Sequence, residues 1–247
     1  MSTVSFRFYE ELNDFLPAAR RKIQFSYSFR GNPSVKDAIE AIGVPHVEVD
    51  MILANGESTD FSYKIKDGDT FSVYPVFESL NIVPVTHLKG RPLRITRFIC
   101  DVHLGKLARY LRLFGFDTYF RGDLDDNEII DISILEKRII LTRDTGLLKN
   151  KKVTHGYRIR SVDAPDQLKE ICIRLDLKRS INPFTLCMEC NGKLEDVSKS
   201  EIRDRLLPLT KRYYRKFKRC SNCDRVYWNG SHYKRMNNLI KKTIRSI

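Results

Sequence analysis

RIILTRD, from Arg138 to Asp144, contains a strongly strand-like segment. Residues 139–142 are β-branched or aliphatic, which is typical of a strand buried within a sheet. A charged pair, Arg143 and Asp144, follows directly. Because ligands of open parallel α/β sheets bind beyond the carboxyl ends of the strands, this pair predicts a functional site at the end of the strand.

Strands and helices alternate on both sides of this segment. The predicted strands are RITRFIC (94–100), DTYF (117–120), RIILT (138–142) and YRIRSV (157–162). The predicted helices are HLGKLARYLRLFG (103–115), DDNEIIDISILEK (125–137) and APDQLKEICIRLDL (164–177). This alternation favours a parallel sheet flanked by helices. The sequence therefore predicts an α/β domain over residues 95–180.

Residues 1–78 follow a different pattern of two strands, a short helix and two further strands. The order predicts a small α+β domain of the β-grasp (ubiquitin-like) type. Its turns ANG (54–56) and DGD (67–69) resemble those of the sulfur-carrier proteins of thiamine and molybdopterin synthesis. Those carriers act through a free Gly-Gly carboxyl end, whereas this chain continues, so we do not expect carrier chemistry. Residues 79–94, with Pro84, Gly90 and Pro92, predict a linker.

Composition and charge limit the class of protein and its partners. Apolar residues make up 42% and charged residues 30% of the chain, as in globular proteins. No segment has the apolar length of a membrane span or the layout of a signal peptide, so we expect a cytoplasmic protein without a membrane partner. Residues 205–247 contain thirteen Lys and Arg against one acid, Asp224, within a chain of net charge +13. Aromatic residues lie among these cations, which indicates nucleic acid, ahead of anionic lipid, as the partner rather than a merely solvated basic face.

Two carboxylates follow predicted strands of the α/β domain. Asp101 comes directly after RITRFIC, and Asp144 lies two residues after RIILT. If the two strands are neighbours, both side chains emerge at the same edge of the sheet and repel unless a cation lies between them. Carboxylate oxygens suit Mg²⁺ or Mn²⁺, which bridge to phosphate oxygens and activate water for attack on a phosphodiester.

Further acids occupy similar positions. Asp125 is expected to cap the second helix, and Asp126 then stands in its first turn as the third candidate ligand, with Glu128 as the alternative. Asp163 follows YRIRSV and either joins the acidic site or caps the next helix. Any one of these acids could be only a cap or turn former.

Basic residues near these acids are candidates for contact with substrate phosphates. Lys106, Arg109 and Arg112 recur at helical spacing after Asp101, and Arg143 adjoins Asp144. Ion pairing with the acids or a solvated face remain alternative interpretations for each cation.

The segments CDVHLGKLARYLRLFGFDTYF, DDNEI and RIILTRD together resemble the PIN-like nuclease fold. More narrowly, they resemble the mutator-seven C-terminal RNase family, whose bacterial members carry a ubiquitin-like domain before the nuclease domain. The resemblance covers essentially the whole chain. It implies a metal-dependent RNase with Asp101, Asp126 and Asp144 in its acidic cluster. Ser133 departs from the family pattern, in which alanine is usual, and we expect no effect on the chemistry.

Two CxxC pairs separated by 29 residues predict a closed Zn²⁺ site within a basic zinc-ribbon module over residues 181–247. Its predicted ligands are Cys187, Cys190, Cys220 and Cys223. Four thiolates leave no open position, so the ion would be structural. A redox-active CxxC pair is the alternative. Cys100 and Cys172 lie in apolar surroundings and are interpreted as buried thiols.

Aromatic residues of this module have two possible roles, which are stacking on bases and packing around the zinc site. They are Tyr213, Tyr214, Phe217, Tyr227 and Trp228. The stretch YWNGSH also matches the ribbon of the family, which implies that Trp228 and His232 are structurally placed. With four cysteines available, we do not expect His232 to be a zinc ligand.

The leading hypothesis is a metal-dependent ribonuclease in which the ribbon binds RNA and the acids support cleavage. The β-grasp domain would recruit a protein partner or shield the site. The alternative is a non-catalytic RNA-binding protein that retains the PIN-like fold. The acids at the strand ends favour the enzyme.

Overall fold

The computed structural model describes residues 1–75 and 96–247, so the predicted linker at 79–94 lies outside the described residues. Packing divides the chain into two compact units. One contains the described N-terminal residues together with Asp144–Arg158, and the other contains Thr96–Arg143 and Ile159–Ile247. No helix in the described ranges is long and apolar enough to cross a membrane.

The strands and helices predicted for the first two regions occur in the predicted order, with one addition: the short helix Thr145–Leu148 was not predicted. The first described range contains β1 (Ser2–Phe8), β2 (Phe25–Phe29), α1 (Val35–Ile42), β3 (Val49–Ala54), β4 (Glu57–Thr59) and β5 (Thr70–Pro75). The α/β region contains β6 (Phe98–Cys100), α2 (Gly105–Leu113), β7 (Thr118–Tyr119), α3 (Asp126–Glu136), β8 (Ile139–Thr142), α4 (Thr145–Leu148), β9 (Gly156–Arg158) and α5 (Ala164–Arg174). The last part contains β10 (Leu194–Val197), α6 (Pro208–Tyr213), β11 (Phe217–Cys220), β12 (Val226–Trp228) and α7 (Ser231–Ser246).

The N-terminal sheet confirms the predicted β-grasp fold. Its strand order is β2-β1-β5-β3-β4, with β1 and β5 parallel and the other neighbours antiparallel. Helix α1 begins at a reciprocal cap, in which the Asp37 amide donates to Ser34 Oγ (3.2 Å) and the Ser34 amide donates to Asp37 Oδ2 (3.0 Å). The buried face of α1, including Ala38 and Ile39, packs in the same core as Phe6 of β1.

The central sheet confirms the prediction of parallel strands. Strand β6 pairs in parallel with both β7 and β8, with Ile99 opposite Ile140 and Cys100 opposite Leu141. All three residues of β6 are fully buried, which explains why this strand is continuously apolar rather than alternating. Cys100 and Cys172 are buried thiols, as expected, and burial raises the pKa of both, to about 12 for Cys172.

The C-terminal part forms a three-stranded antiparallel sheet in the order β10-β11-β12. Its small core centres on Ile202, Leu206 and Phe217, and Tyr214 packs against this cluster. Helix α7 packs against α5 of the α/β region. So few apolar residues give this sheet little hydrophobic stabilisation of its own.

Arg112 joins the first cysteine pair to the α/β region. The side chain is only 3% exposed, and its Nε donates to the Thr118 carbonyl (2.9 Å). Its Nη1 donates to the carbonyls of Met188 (3.2 Å) and Glu189 (2.7 Å). Burial lowers the pKa of the guanidinium. The helical spacing allowed Arg112 to bind phosphate or to lie on a solvated face. The structure shows neither, because the guanidinium is buried and bonded to backbone carbonyls.

A second set of hydrogen bonds reinforces this junction. Asn191, with a left-handed φ of 68°, accepts from the Thr118 amide (3.0 Å) and donates to Asp117 Oδ1 (2.6 Å). The Asn182 amide donates to the Phe114 carbonyl (2.9 Å). The ribbon is thus fastened to the edge of the sheet by partly buried polar contacts.

Gly115 is required at this junction, because its φ is +91° and a Cβ there would lie 2.2 Å from the Asn182 carbonyl oxygen. We predict that Gly115→Ala lowers the free energy of unfolding by about 2–4 kcal/mol through backbone strain and overpacking. Denaturant unfolding followed by fluorescence of Trp228, the one tryptophan of the chain, measures the change. Gly122→Ala is the matched control, since a Cβ there meets nothing within 4 Å. Equal midpoints for the two variants would contradict the assigned contact.

Candidate functional site

The four predicted cysteines converge in the ribbon. Their sulfur atoms all lie within 4.8 Å of one another, with Cys187 and Cys223 3.6 Å apart and Cys190 and Cys220 3.4 Å apart. A tetrahedral zinc ion with Zn–S bonds of about 2.3 Å places its sulfur ligands roughly 3.8 Å apart. The four cysteines can therefore hold a metal ion, and the all-sulfur donor set fits structural zinc.

Neighbouring groups hold the sulfurs in place. Tyr227 Oη lies 3.0 Å from Cys187 Sγ, and burial together with this contact raises the pKa of the phenol. The backbone amides of Asn222 and Cys223 donate to Cys220 Sγ, each at 3.4 Å. A Cβ at position 192 would lie 2.8 Å from the same sulfur, so only glycine fits there. Such donors orient thiolate ligands and offset their charge.

The predicted substrate cations differ in their surroundings. Arg109 forms an ion pair with Glu189 and keeps about half (52%) of its side chain exposed. Arg225 reaches the same carboxylate oxygen from the ribbon at 3.2 Å. Lys106, one turn before Arg109, is exposed, and so is Arg143. Arg109 is thus part of the contact between α2 and the first cysteine pair.

Asp101 bridges the ends of the two central strands. It follows β6 directly, is 6% exposed, and its Oδ1 accepts from the His103 amide (2.8 Å). Its Oδ2 accepts from the Thr142 hydroxyl, at the end of β8, and from the Arg143 amide (3.2 Å). These donors fix the orientation of the carboxylate. Thr142 was not singled out from the sequence, and its only signal there is its position as the last residue of the strand RIILT.

The acids of the second predicted helix have distinct roles. Asp125 caps α3 as expected, since the Glu128 amide donates to Asp125 Oδ1 (2.9 Å). Glu128 returns the bond by accepting from the Asp125 amide (3.0 Å), and it also pairs with Arg121 (2.6 Å). Asp126 is the first residue of α3 and is exposed.

The other two candidate acids precede helices. Asp144 is exposed and caps α4, where its Oδ1 accepts from the Gly146 amide (2.7 Å). Asp163 occupies the N-cap position of α5 without a side-chain capping bond. Residues 1–75 and 96–247 contain one group of three or more His, Cys, Asp or Glu side chains that lie close enough together to hold a metal ion. That group is the four cysteines.

The aromatic residues of the ribbon divide between core and surface. Phe217 and Tyr214 pack in the small core, and Tyr227 contacts the cysteine cluster. Tyr213 (65%) and Trp228 (38%) remain exposed. Trp228 also borders a cavity of about 370 Å³, whose lining includes Arg109, Glu189, Arg225, His232 and Met236. The cavity therefore borders both an aromatic ring and cations.

These features define a PIN-like α/β domain that is preceded by a β-grasp domain and followed by a four-cysteine ribbon. Two protein-family models match the chain. The model described as the Mut7-C RNAse domain matches residues 96–240, and the model described as Mut7-C ubiquitin matches residues 1–81. The chain belongs to the Mut7-C RNase family. A search of curated proteins finds no match.

Two solved structures are similar to part of the chain, and both are crystal structures of small archaeal modifier protein 1 from Haloferax volcanii. The first is 18% identical, covers 30% of this chain and 98% of its own, and has a TM-score of 0.25. The second is 17% identical, covers 32% of this chain and all of its own, and has a TM-score of 0.26.

The cysteine cluster leads to a direct test. We predict that Cys187→Ser removes about one zinc ion per chain and unfolds the ribbon, because metal binding supplies much of the folding free energy of such small modules. Metal analysis of the purified protein measures the loss, and Trp228 fluorescence reports the unfolding. Cys172→Ser, which changes a buried thiol outside the cluster, should retain the metal. Full zinc content in Cys187→Ser would exclude this cysteine as a ligand.

Proposed function

We propose that this protein is a ribonuclease that hydrolyses RNA phosphodiesters with Mg²⁺ or Mn²⁺ held by Asp101, Asp126 and Asp144. Membership of the Mut7-C RNase family supports nuclease activity. The observation that carries the site assignment is the position of Asp101, whose carboxylate accepts hydrogen bonds from the end of the neighbouring parallel strand. Asp144 lies two residues beyond that strand along the chain.

The donor set suits a hard divalent cation, since all three candidate ligands are carboxylates. When bound, such an ion supplies positive charge to a phosphoryl oxygen and lowers the pKa of a bound water. Asp101 would supply a carboxylate of fixed orientation, because three hydrogen-bond donors restrain its two oxygens. Asp126 and Asp144 contribute exposed carboxylates at the starts of α3 and α4.

Substrate binding is assigned to cations near these acids and to the ribbon. Lys106 and Arg143 are exposed, and the guanidinium of Arg109 retains exposed surface beside Glu189. We propose that these three residues contact phosphates of the substrate. The net positive charge of residues 205–247 and the exposed ring of Trp228 support RNA binding by the ribbon.

A second candidate is a non-catalytic RNA-binding protein with the same fold. It is favoured by the capping roles of Asp101 and Asp144, which explain both aspartates without any chemistry. The two candidates differ in one respect, because only the enzyme requires these carboxylates for turnover of RNA.

For the acidic site, we predict that the double variant Asp101→Asn, Asp144→Asn reduces Mn²⁺-dependent RNA cleavage by at least about a hundredfold, or about 2.7 kcal/mol. RNA affinity should change by less than about twofold, because the ribbon supplies the binding. Gel-based cleavage and equilibrium binding of one labelled RNA measure both quantities. Asp131→Asn, an exposed acid on α3, is the control. Unchanged cleavage by the double variant would place the active site elsewhere, and RNA binding by a wild-type protein without cleavage would favour the second candidate.

For the ribbon, we predict that Trp228→Ala weakens binding of single-stranded RNA by roughly 5- to 150-fold, the range expected for loss of one stacked base. Trp228→Phe preserves a ring face and should retain most of the affinity. Fluorescence anisotropy of a labelled RNA measures the change, and an unchanged zinc content shows that the ribbon stays folded. Equal affinities for wild type and Trp228→Ala would exclude this ring from the RNA-binding surface.

A further inference from the structure

Two polar residues are buried in the turn that joins α1 to β3. His46 is 8% exposed and Glu48 is 1% exposed, and both lie in the short 3-10 helix His46–Glu48. Buried polar groups need hydrogen-bond partners, because desolvation without one is costly. The neighbouring Val47 and Val49 are buried apolar residues, so the turn is anchored in its own domain.

The partners of these two side chains lie in the segment Asp144–Arg158. The Arg158 amide donates to Glu48 Oε1 (2.6 Å), and His46 Nε2 lies 2.9 Å from the Val153 carbonyl oxygen. The Arg158 guanidinium also lies 5.3 Å above the ring of Phe15. Both contacts are made to backbone atoms, the Arg158 amide and the Val153 carbonyl, so they restrain the backbone of the segment rather than one side chain. The segment belongs to the same compact unit as the β-grasp domain.

A second contact restrains the imidazole. His46 Nδ1 lies 2.6 Å from Glu40 Oε1, and Glu40 belongs to α1. The ring therefore lies between two acceptors, the Glu40 carboxylate of its own domain and the Val153 carbonyl. His46 therefore links α1 to the segment Asp144–Arg158.

Packing and hydrogen bonds within the segment connect β9 to α4, the helix that Asp144 caps. Helix α4 packs against β9, and Leu147 and Leu148 of α4 are buried. The connection is compact, since the Val153 amide donates to the Asn150 carbonyl (2.9 Å) and the Lys149 amide to that of Thr145 (3.2 Å). Asp144 caps the first turn of the same helix. A shift of β9 would therefore move α4 and its cap.

The sequence left two roles open for the β-grasp domain, recruitment of a protein partner and shielding of the site. From these contacts we infer a third role: the β-grasp domain positions Asp144 through Glu48 and His46, which act as positioning residues for the segment 144–158. This inference rests on the proposed function, because Asp144 matters to turnover only if it is a ligand in the acidic site.

The test compares two substitutions at one position in the full-length protein. Glu48→Ala removes the acceptor of the Arg158 amide, whereas Glu48→Gln keeps an acceptor oxygen of the same reach. We expect kcat for RNA cleavage to fall about 10- to 100-fold in Glu48→Ala, the scale expected for a displaced catalytic group, with KM within about twofold. Glu48→Gln should restore most of kcat. Glu57→Ala, an exposed acid of β4, is the control and should match wild type.

Hydrogen exchange supplies a readout that does not depend on activity. In Glu48→Ala, amides of residues 153–158 should lose protection while those of β1, β3 and β5 keep theirs. If Glu48→Ala loses protection throughout the domain, the variant is unfolded and the same measurement is made on His46→Ala, which removes the Val153 contact.

The outcomes separate the inference from the proposed function. Unchanged exchange at residues 153–158, or an unchanged kcat in an active enzyme, overturns the positioning role. A fall in kcat that Glu48→Gln does not restore also counts against it. A wild-type protein that does not cleave RNA overturns the proposed function, and the exchange measurement still decides whether Glu48 holds the segment.

Discussion

The parallel pairing of β6 with β8 is the constraint on which the candidate site depends. Strand β6 has three residues, all of them buried, and its register places Cys100 opposite Leu141. That register brings the first residue after β6, Asp101, beside the last residue of β8, so that Thr142 and Arg143 both donate to one carboxylate oxygen. A buried carboxylate is stable only with such partners, and the same partners fix its orientation at the carboxyl ends of the two strands.

The ribbon is held by two different kinds of interaction. The cysteine cluster closes its two loops around one metal position, which replaces the large core that so small a sheet lacks. Arg112 and Asn191 then fasten the first loop to the α/β region through backbone carbonyls, an amide and Asp117. The ribbon is thereby joined to the α/β region that carries Asp101, within one compact unit.

Helix capping and metal binding both require an aspartate whose carboxylate oxygens can accept. In this chain the candidate metal ligands Asp101 and Asp144 are also helix caps. Asp101 and Asp144 each accept a backbone amide at the start of a helix that follows a strand. The capping bond uses one oxygen of each carboxylate, and in Asp101 the other oxygen already accepts from Thr142 and Arg143, so a cap orients a carboxylate without requiring a cation. For this reason the nuclease assignment depends on kinetic comparison of aspartate and asparagine rather than on the geometry of the caps.

The sequence by itself determined the α/β and β-grasp classes, the order of their strands and longer helices, and the cysteine group, because periodicity, turn residues and ligand spacing are local properties. The four-residue helix α4 was not predicted. The sequence also indicated the cap at Asp125. The acidic trio and its cation remain predictions. The tertiary structure alone decided that Arg112 is buried in the junction, that Thr142 serves Asp101, and that His46 and Glu48 hold the segment after Arg143. These roles depend on partners distant in the chain, and the local pattern around an arginine, threonine, histidine or glutamate carries no information about which backbone atom will lie beside it.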